Sequence, residues 1–302
     1  MKFKLTSLEK KWVLYDVGNS AFTMMVSTIF PIYFNALAEG AGISDVDYLA
    51  YWGYATSVCT LIVAILGPTL GAIADTKNFK KIVFSISMGI GVFGCILLGF
   101  LSSWIWFLGV FVLAKTGYSA SLIFYDAMLT DVTEPERMDS VSSHGYAWGY
   151  IGSCIPFIAC LGIVLGAGGL GISTQTSMIL AFVITALWWL CSSIPLLRSY
   201  RQKYFSDADG HVVRNSFKRL GRTFIELTKE KHIFIFLLAF FFYIDGVYTV
   251  IDMATAYGQA LGLDSTGLLL ALLVTQIVAF PCVLIFSRLV KKIKPEAIIT
   301  IC

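Results

Sequence analysis

Residues 71–101 read GAIADTKNFKKIVFSISMGIGVFGCILLGFL. The last twenty, from Ile82 to Leu101, hold no charged side chain. About 20 such residues are what a helix needs to cross the hydrocarbon of a bilayer. The first eleven residues are a polar turn. A glycine allows close approach, Asp75 caps, and Lys77, Lys80 and Lys81 anchor at the lipid surface. This pairing of a basic turn with an uncharged run recurs along the chain.

Working outward, apolar runs of spanning length occupy 12–38, 48–74, 82–101, 104–129, 140–165, 176–197, 232–257 and 265–287, and a ninth begins at 295–302. The 302 residues are 57% hydrophobic and 14% charged, with a mean hydropathy of +0.79. Soluble domains carry roughly 25% charged residues. In lipid, only helices and closed barrels satisfy their own backbone. Barrel strands alternate polar and apolar residues over ~10-residue segments, and these runs do not alternate. The expected class is therefore all-α integral membrane. The first run carries Asp16 and Asn19 and exceeds a signal-peptide core, so a retained span is expected. The apolar run at Ile301-Cys302 reads as an interrupted span, so a fragment is expected.

Basic residues mark the cytoplasmic side of membrane proteins. With the N-terminus inside, 21 of the 22 Lys and Arg fall in or beside inner loops, and the other, Lys115, lies within a span. The longest connection, 198–231, follows the sixth span. Within it Phe217, Leu220, Phe224 and Leu227 repeat at helical spacing, which fits an amphipathic helix on the inner leaflet or a solvated basic linker. The layout is a six-helix half at 1–197, a linker at 198–231 and an incomplete second half at 232–302.

Gly71, Asp75, Lys80 and Lys81 resemble the major facilitator signature between spans two and three, G-x-x-x-D-x-x-x-x-[KR]-[KR]. The resemblance implies that these four act as a cytoplasmic latch between the halves. A narrower likeness runs through WVLYDVGNSAF at 12–22, YDAMLTD at 125–131, GYAWGYIG at 145–152 and YIDGVYT at 243–249. Together these resemble the vacuole-effluxer-like permeases, the branch of that superfamily that includes an amino-acid exporter of fungal vacuoles. The resemblance implies the major facilitator fold, export by alternating access, and a cavity lined by spans one, four and seven. It places the chain in a bacterial cell membrane, or a vacuolar membrane in a eukaryote.

A central charge costs about 2.5–3.5 kcal/mol on insertion scales, so intramembrane ionic groups face cavities or partners. Asp16, Lys115, Asp126, Asp245 and Asp252 are such groups, and Asn19 shares a face with Asp16. Lys115 and Asp245 fall near mid-membrane and are expected to face one another, gripping the carboxylate and ammonium of a zwitterion such as an amino acid. Alternatively they pair when empty, and protonation of an acid couples transport to a proton gradient. Gly145, Gly149 and Gly152 read as helix packing, and His144 as a surface histidine.

No G-x-x-x-x-G-K-[ST] loop occurs, which excludes a P-loop ATP pump. The seven cysteines form no C-x-x-C and are expected as buried packing residues. No metal, cofactor or nucleic-acid partner is expected, and the protein is expected to be a monomer and not an enzyme. Other cargo (a sugar, drug or lipid), a receptor, or a membrane enzyme using Asp126 with Asp131 remain alternatives.

Overall fold

The computed structural model describes residues 4–205, 221–222 and 225–289, apart from the side chains of 287 and 288. The amphipathic segment expected after the sixth span lies largely outside these residues, as does the ninth run. Among the described residues the regular structure is helical. Eight helices or helix pairs are long and apolar enough to cross a membrane.

The first span is two helices, α1 (Ser7–Ser27) and α2 (Ile29–Gly40), where one continuous run was expected. The cause is Pro31. Its ring clashes with the carbonyl four residues back, that of Ser27, and it has no N–H to donate there. Thr28 takes up the break at φ −131°, ψ −86°. At the other end, Thr6 and Glu9 cap α1 reciprocally: the Thr6 hydroxyl accepts from the Glu9 N–H and the Glu9 carboxylate from the Thr6 N–H.

The remaining elements are α3 (Asp45–Ala74), α4 (Phe79–Leu98), α5 (Trp104–Val132), a 3-10 turn at Pro135–Arg137, α6 (Met138–Leu165), α7 (Thr174–Ser199), α8 (Lys231–Ala260) and α9 (Ser265–Leu289). Ser44 and Ser173 cap α3 and α7 through their hydroxyls. Asn78, at φ +68°, makes the left-handed corner between α3 and α4, a conformation asparagine tolerates better than most residues. Successive spans alternate in direction. The end of the bundle where α1, α4, α6 and α8 begin is called basal below, and the other end distal.

Helices α1 and α3–α7 pack on one another, α8 lies against α1, α2 and α3, and α9 against α6 and α8. Lipid offers no hydrophobic drive for this, so close fit supplies the energy. Gly91 and Gly117 bring α4 and α5 into backbone contact: a Cβ on Gly117 would stand 2.8 Å from the Gly91 nitrogen. Gly145, Gly149 and Gly152 give α6 its face toward α1, over Trp12, Ser20 and Val17. The distal core is aromatic: Trp52 stacks on Phe111 at 4.3 Å between ring centroids, and Phe34 and Phe107 stack at 6.1 Å. Cys59, Cys95, Cys154 and Cys160 are buried as expected, whereas Cys191 and Cys282 are exposed on helix surfaces.

Candidate functional site

Lys115 of α5 and Asp252 of α8 form an ion pair inside the bundle, with side chains 10% and 19% exposed. The expected partner was Asp245, and the structure corrects this. Helical side chains lean toward the start of their own helix. Lys115, on a helix that starts distally, leans distally. Asp252, on a helix that starts basally, leans down to meet it. Asp245 leans away, lies two turns nearer the basal end and is exposed. The Lys115 ammonium also stands 5.9 Å from the Phe111 ring centroid, within cation–π range.

This pair is the deepest of a set of contacts joining α8 to the first spans. The Trp52 indole N–H donates to the Asp252 carbonyl at 2.9 Å. The Thr255 hydroxyl donates to the Ser27 carbonyl, the one Pro31 releases from the helix ladder. Asn35 donates to Gln259 at 3.3 Å. All lie between 252 and 259. From Lys231 to Ile251, by contrast, no residue of α8 is buried. The hydrogen bonds and ion pair from α8 to the first spans therefore lie at its distal end, and its basal stretch holds no buried residue.

Asp16 sits in the basal half, 8% exposed, and accepts one hydrogen bond, from Asn19 at 3.2 Å. The next turns of α1 are tied to α5: Tyr15 to Ser121 at 2.8 Å and Thr23 to Tyr118 at 2.5 Å. Asp126 of α5 is exposed and is the charged neighbour of Asp16. Asp16, Asn19 and Asp126 therefore form a basal group, and Lys115 and Asp252 a distal one, with Asp245 in neither. His144 is half-buried, with Nδ1 against the Ser140 carbonyl at 2.7 Å.

At the basal rim Lys80 is buried and bonds Asp131 of α5 at 3.0 Å. Its partner therefore lies among the first six spans, where a contact between halves was expected. Asp131 is fully buried and also accepts from Tyr200 (2.5 Å) and from the backbone of Lys203 (2.9 Å) and Tyr204 (3.0 Å). Burial, and then the bond to Asp131, raise the Tyr200 hydroxyl above its ordinary pKa, so it stays a donor. Asp75 is exposed, and Gly71 and Lys81 are half-buried. A second clamp joins Arg137 to Glu9 through Nε at 2.8 Å and Nη2 at 2.7 Å.

The vacuole effluxer Atg22-like family matches residues 7–302. The chain belongs to that family. A Bacillus subtilis (strain 168) protein named as an uncharacterized MFS-type transporter, YxiO, is 41% identical over 297 residues, covering 97% of this chain and 69% of the relative. Autophagy-related protein 22 of Coccidioides immitis is 23% identical over 290 residues, covering 74% of this chain and 47% of the relative. Autophagy-related protein 22-1 of Aspergillus fumigatus is 29% identical over 131 residues, 39% of this chain and 21% of the relative. The chain thus spans less than half the length of these fungal relatives. Membership makes it a membrane transporter of the major facilitator type and not an enzyme.

Several residues that organise this effluxer-like chain escaped sequence reasoning. The Glu9 cap was legible as T-x-x-E at Thr6–Glu9. Asp131 was named from the sequence only as an enzyme alternative with Asp126, and its bond to Lys80 was not foreseen. Trp52, Thr255, Ser27 and Gln259 carried none, because ordinary polar residues in a span become specific only when another helix meets them.

Proposed function

We propose that the chain is a secondary active transporter that works by alternating access and exports a small zwitterionic solute such as an amino acid, with proton coupling. The observation that supports this most is the one-sided closure of α8, bonded to the first spans from Asp252 to Gln259 and without a buried residue from Lys231 to Ile251. With the N-terminus cytoplasmic in a bacterial cell membrane, the distal end faces outward, and this is an inward-open arrangement. The protein works as a monomer in the bilayer without cofactor or nucleic acid. The six spans before the linker form one half, and the helices after it belong to the other.

Lys115 is the cation for the solute's carboxylate. A solute entering from the basal side competes with Asp252 for that ammonium, and the displaced Asp252, or Asp245 lower on α8, meets the solute's ammonium group. Loss of the Lys115–Asp252 pair loosens the distal closure, which links binding to opening. Gly71, Asp75 and Lys81 form the basal latch when α8 closes there, and Lys80 braces it through Asp131.

The test is counterflow of radiolabelled amino acids in proteoliposomes. Exchange is expected in the wild type and is reduced about tenfold or more by Lys115→Ala, the loss of one charge-assisted contact. Exchange of a neutral sugar with no amino-acid exchange would overturn the zwitterion reading.

A further inference from the structure

Five of the acids within the helices are paired with a cation or exposed. Glu9 and Asp131 each hold a cation, Asp252 holds Lys115, and Asp126 and Asp245 are exposed. Asp16 is different. Its side chain is buried, it has one neutral donor, and no cation bonds it among the described residues.

The surroundings explain how such a group is tolerated. One carboxylate oxygen, Oδ1, takes the Asn19 amide. The other, Oδ2, lies in a slot walled by two glycines of α6: a Cβ at Gly145 would stand 3.1 Å from it, and one at Gly149 3.5 Å. The titratable groups around it were taken element by element. On α1 there is Tyr15, bonded to Ser121. On α5 there are Tyr118, bonded to Thr23, Tyr125, bonded to the Trp12 carbonyl, and Asp126. On α6 Tyr146 and Tyr150 are near, and His144 is turned to Ser140. Tyr248 of α8 lies near those two tyrosines and near Tyr118. Beside Asp16, at Val17 and Gly18, α1 meets Trp188, Trp189 and Ser192 of α7, none of which titrates. The surroundings are therefore phenols, one further acid and His144, whose Nδ1 faces the Ser140 carbonyl.

An ionised carboxylate shut from water without a cation is strongly disfavoured, and a bound proton removes that cost. We infer that Asp16, in the glycine slot between α1 and α6, is the group that binds the coupled proton, with Asn19 orienting it. This rests on the alternating-access reading and assigns the proton to one atom pair. In the basally open form the exposed Asp126, its charged neighbour, gives the proton a relay to water. When α8 closes basally, Tyr248 and the tyrosines of α6 seal that route and the distal side opens, so Asp16 takes its proton from the outer water and releases it through Asp126 when the basal side reopens, while the solute moves the opposite way.

The test separates the proton from the solute. Purified wild-type protein is expected to show the infrared C=O stretch of a protonated carboxylic acid, titrating with pH. That band is expected to be lost in Asp16→Asn and kept in Asp16→Glu and in Asp139→Asn, a change at an exposed acid at the start of α6. In proteoliposomes, Asp16→Asn is expected to cut amino-acid flux driven by a pH gradient about tenfold more than it cuts exchange. An unaltered carboxyl band, or an equal loss of both fluxes, overturns the inference. Absence of all amino-acid exchange in the wild type overturns the solute reading instead, and the infrared comparison then still decides the proton site.

Discussion

Replacing Asp131 with alanine removes the carboxylate that ties the start of the linker to the bundle. Its Oδ2 accepts from Lys80 at 3.0 Å and Tyr200 at 2.5 Å, and its Oδ1 from the N–H groups of Lys203 and Tyr204 at 2.9 and 3.0 Å. The paired side chains are 5% and 0% exposed, so water neither screens the pair nor replaces it. Breaking a buried pair from one side costs about 3–5 kcal/mol, because the remaining charge is left unpaired. The two backbone donors belong to exposed residues and find water, so they add little. A loss on the order of 10 °C in melting temperature follows. It is read from the monodisperse fraction after heating in detergent. Removing both charges, as Lys80→Met with Asp131→Leu, strands no ion and is expected to cost less than Asp131→Ala alone. If the single change shifts melting by less than ~2 °C, or if the double change costs the sum of the two singles, the buried pair is not what holds this rim.

Gly117→Ala would set a methyl 2.8 Å from the Gly91 nitrogen and the Ser87 carbonyl, both backbone atoms, so α4 and α5 must part. Overpacking of this kind costs about 1–3 kcal/mol, whereas Gly89→Ala, which meets nothing within 4 Å, is expected to melt as the wild type does or slightly higher. Lys77 is exposed at the basal rim. In a background with the native cysteines replaced, Lys77→Cys is expected to resist a membrane-impermeant maleimide in intact cells and to react once they are opened. Labelling from outside would invert the threading.

The spans illustrate what one-dimensional information carries. The runs at 48–74 and 104–129 correspond to α3 at Asp45–Ala74 and α5 at Trp104–Val132. Their edges differ by three residues at most, because hydropathy reports the solvent and caps such as Ser44 lie outside it. The intramembrane ions were legible for the same reason, since a charge in hydrocarbon stands out wherever it occurs. Pro31 was legible as a helix breaker too, but the use made of the Ser27 carbonyl it frees was not.

The sequence by itself determined that this chain lives in lipid, how many times its described part can cross, and which residues are too polar to face hydrocarbon. Those are properties of single residues and their immediate neighbours. Tertiary structure alone decided that Lys115 takes Asp252 and not Asp245, that Lys80 turns inward to Asp131, and that Asp16 bonds no cation among the described residues. Each depends on the lean and rotation of two helices far apart in the chain, and no local pattern records the angle at which they meet.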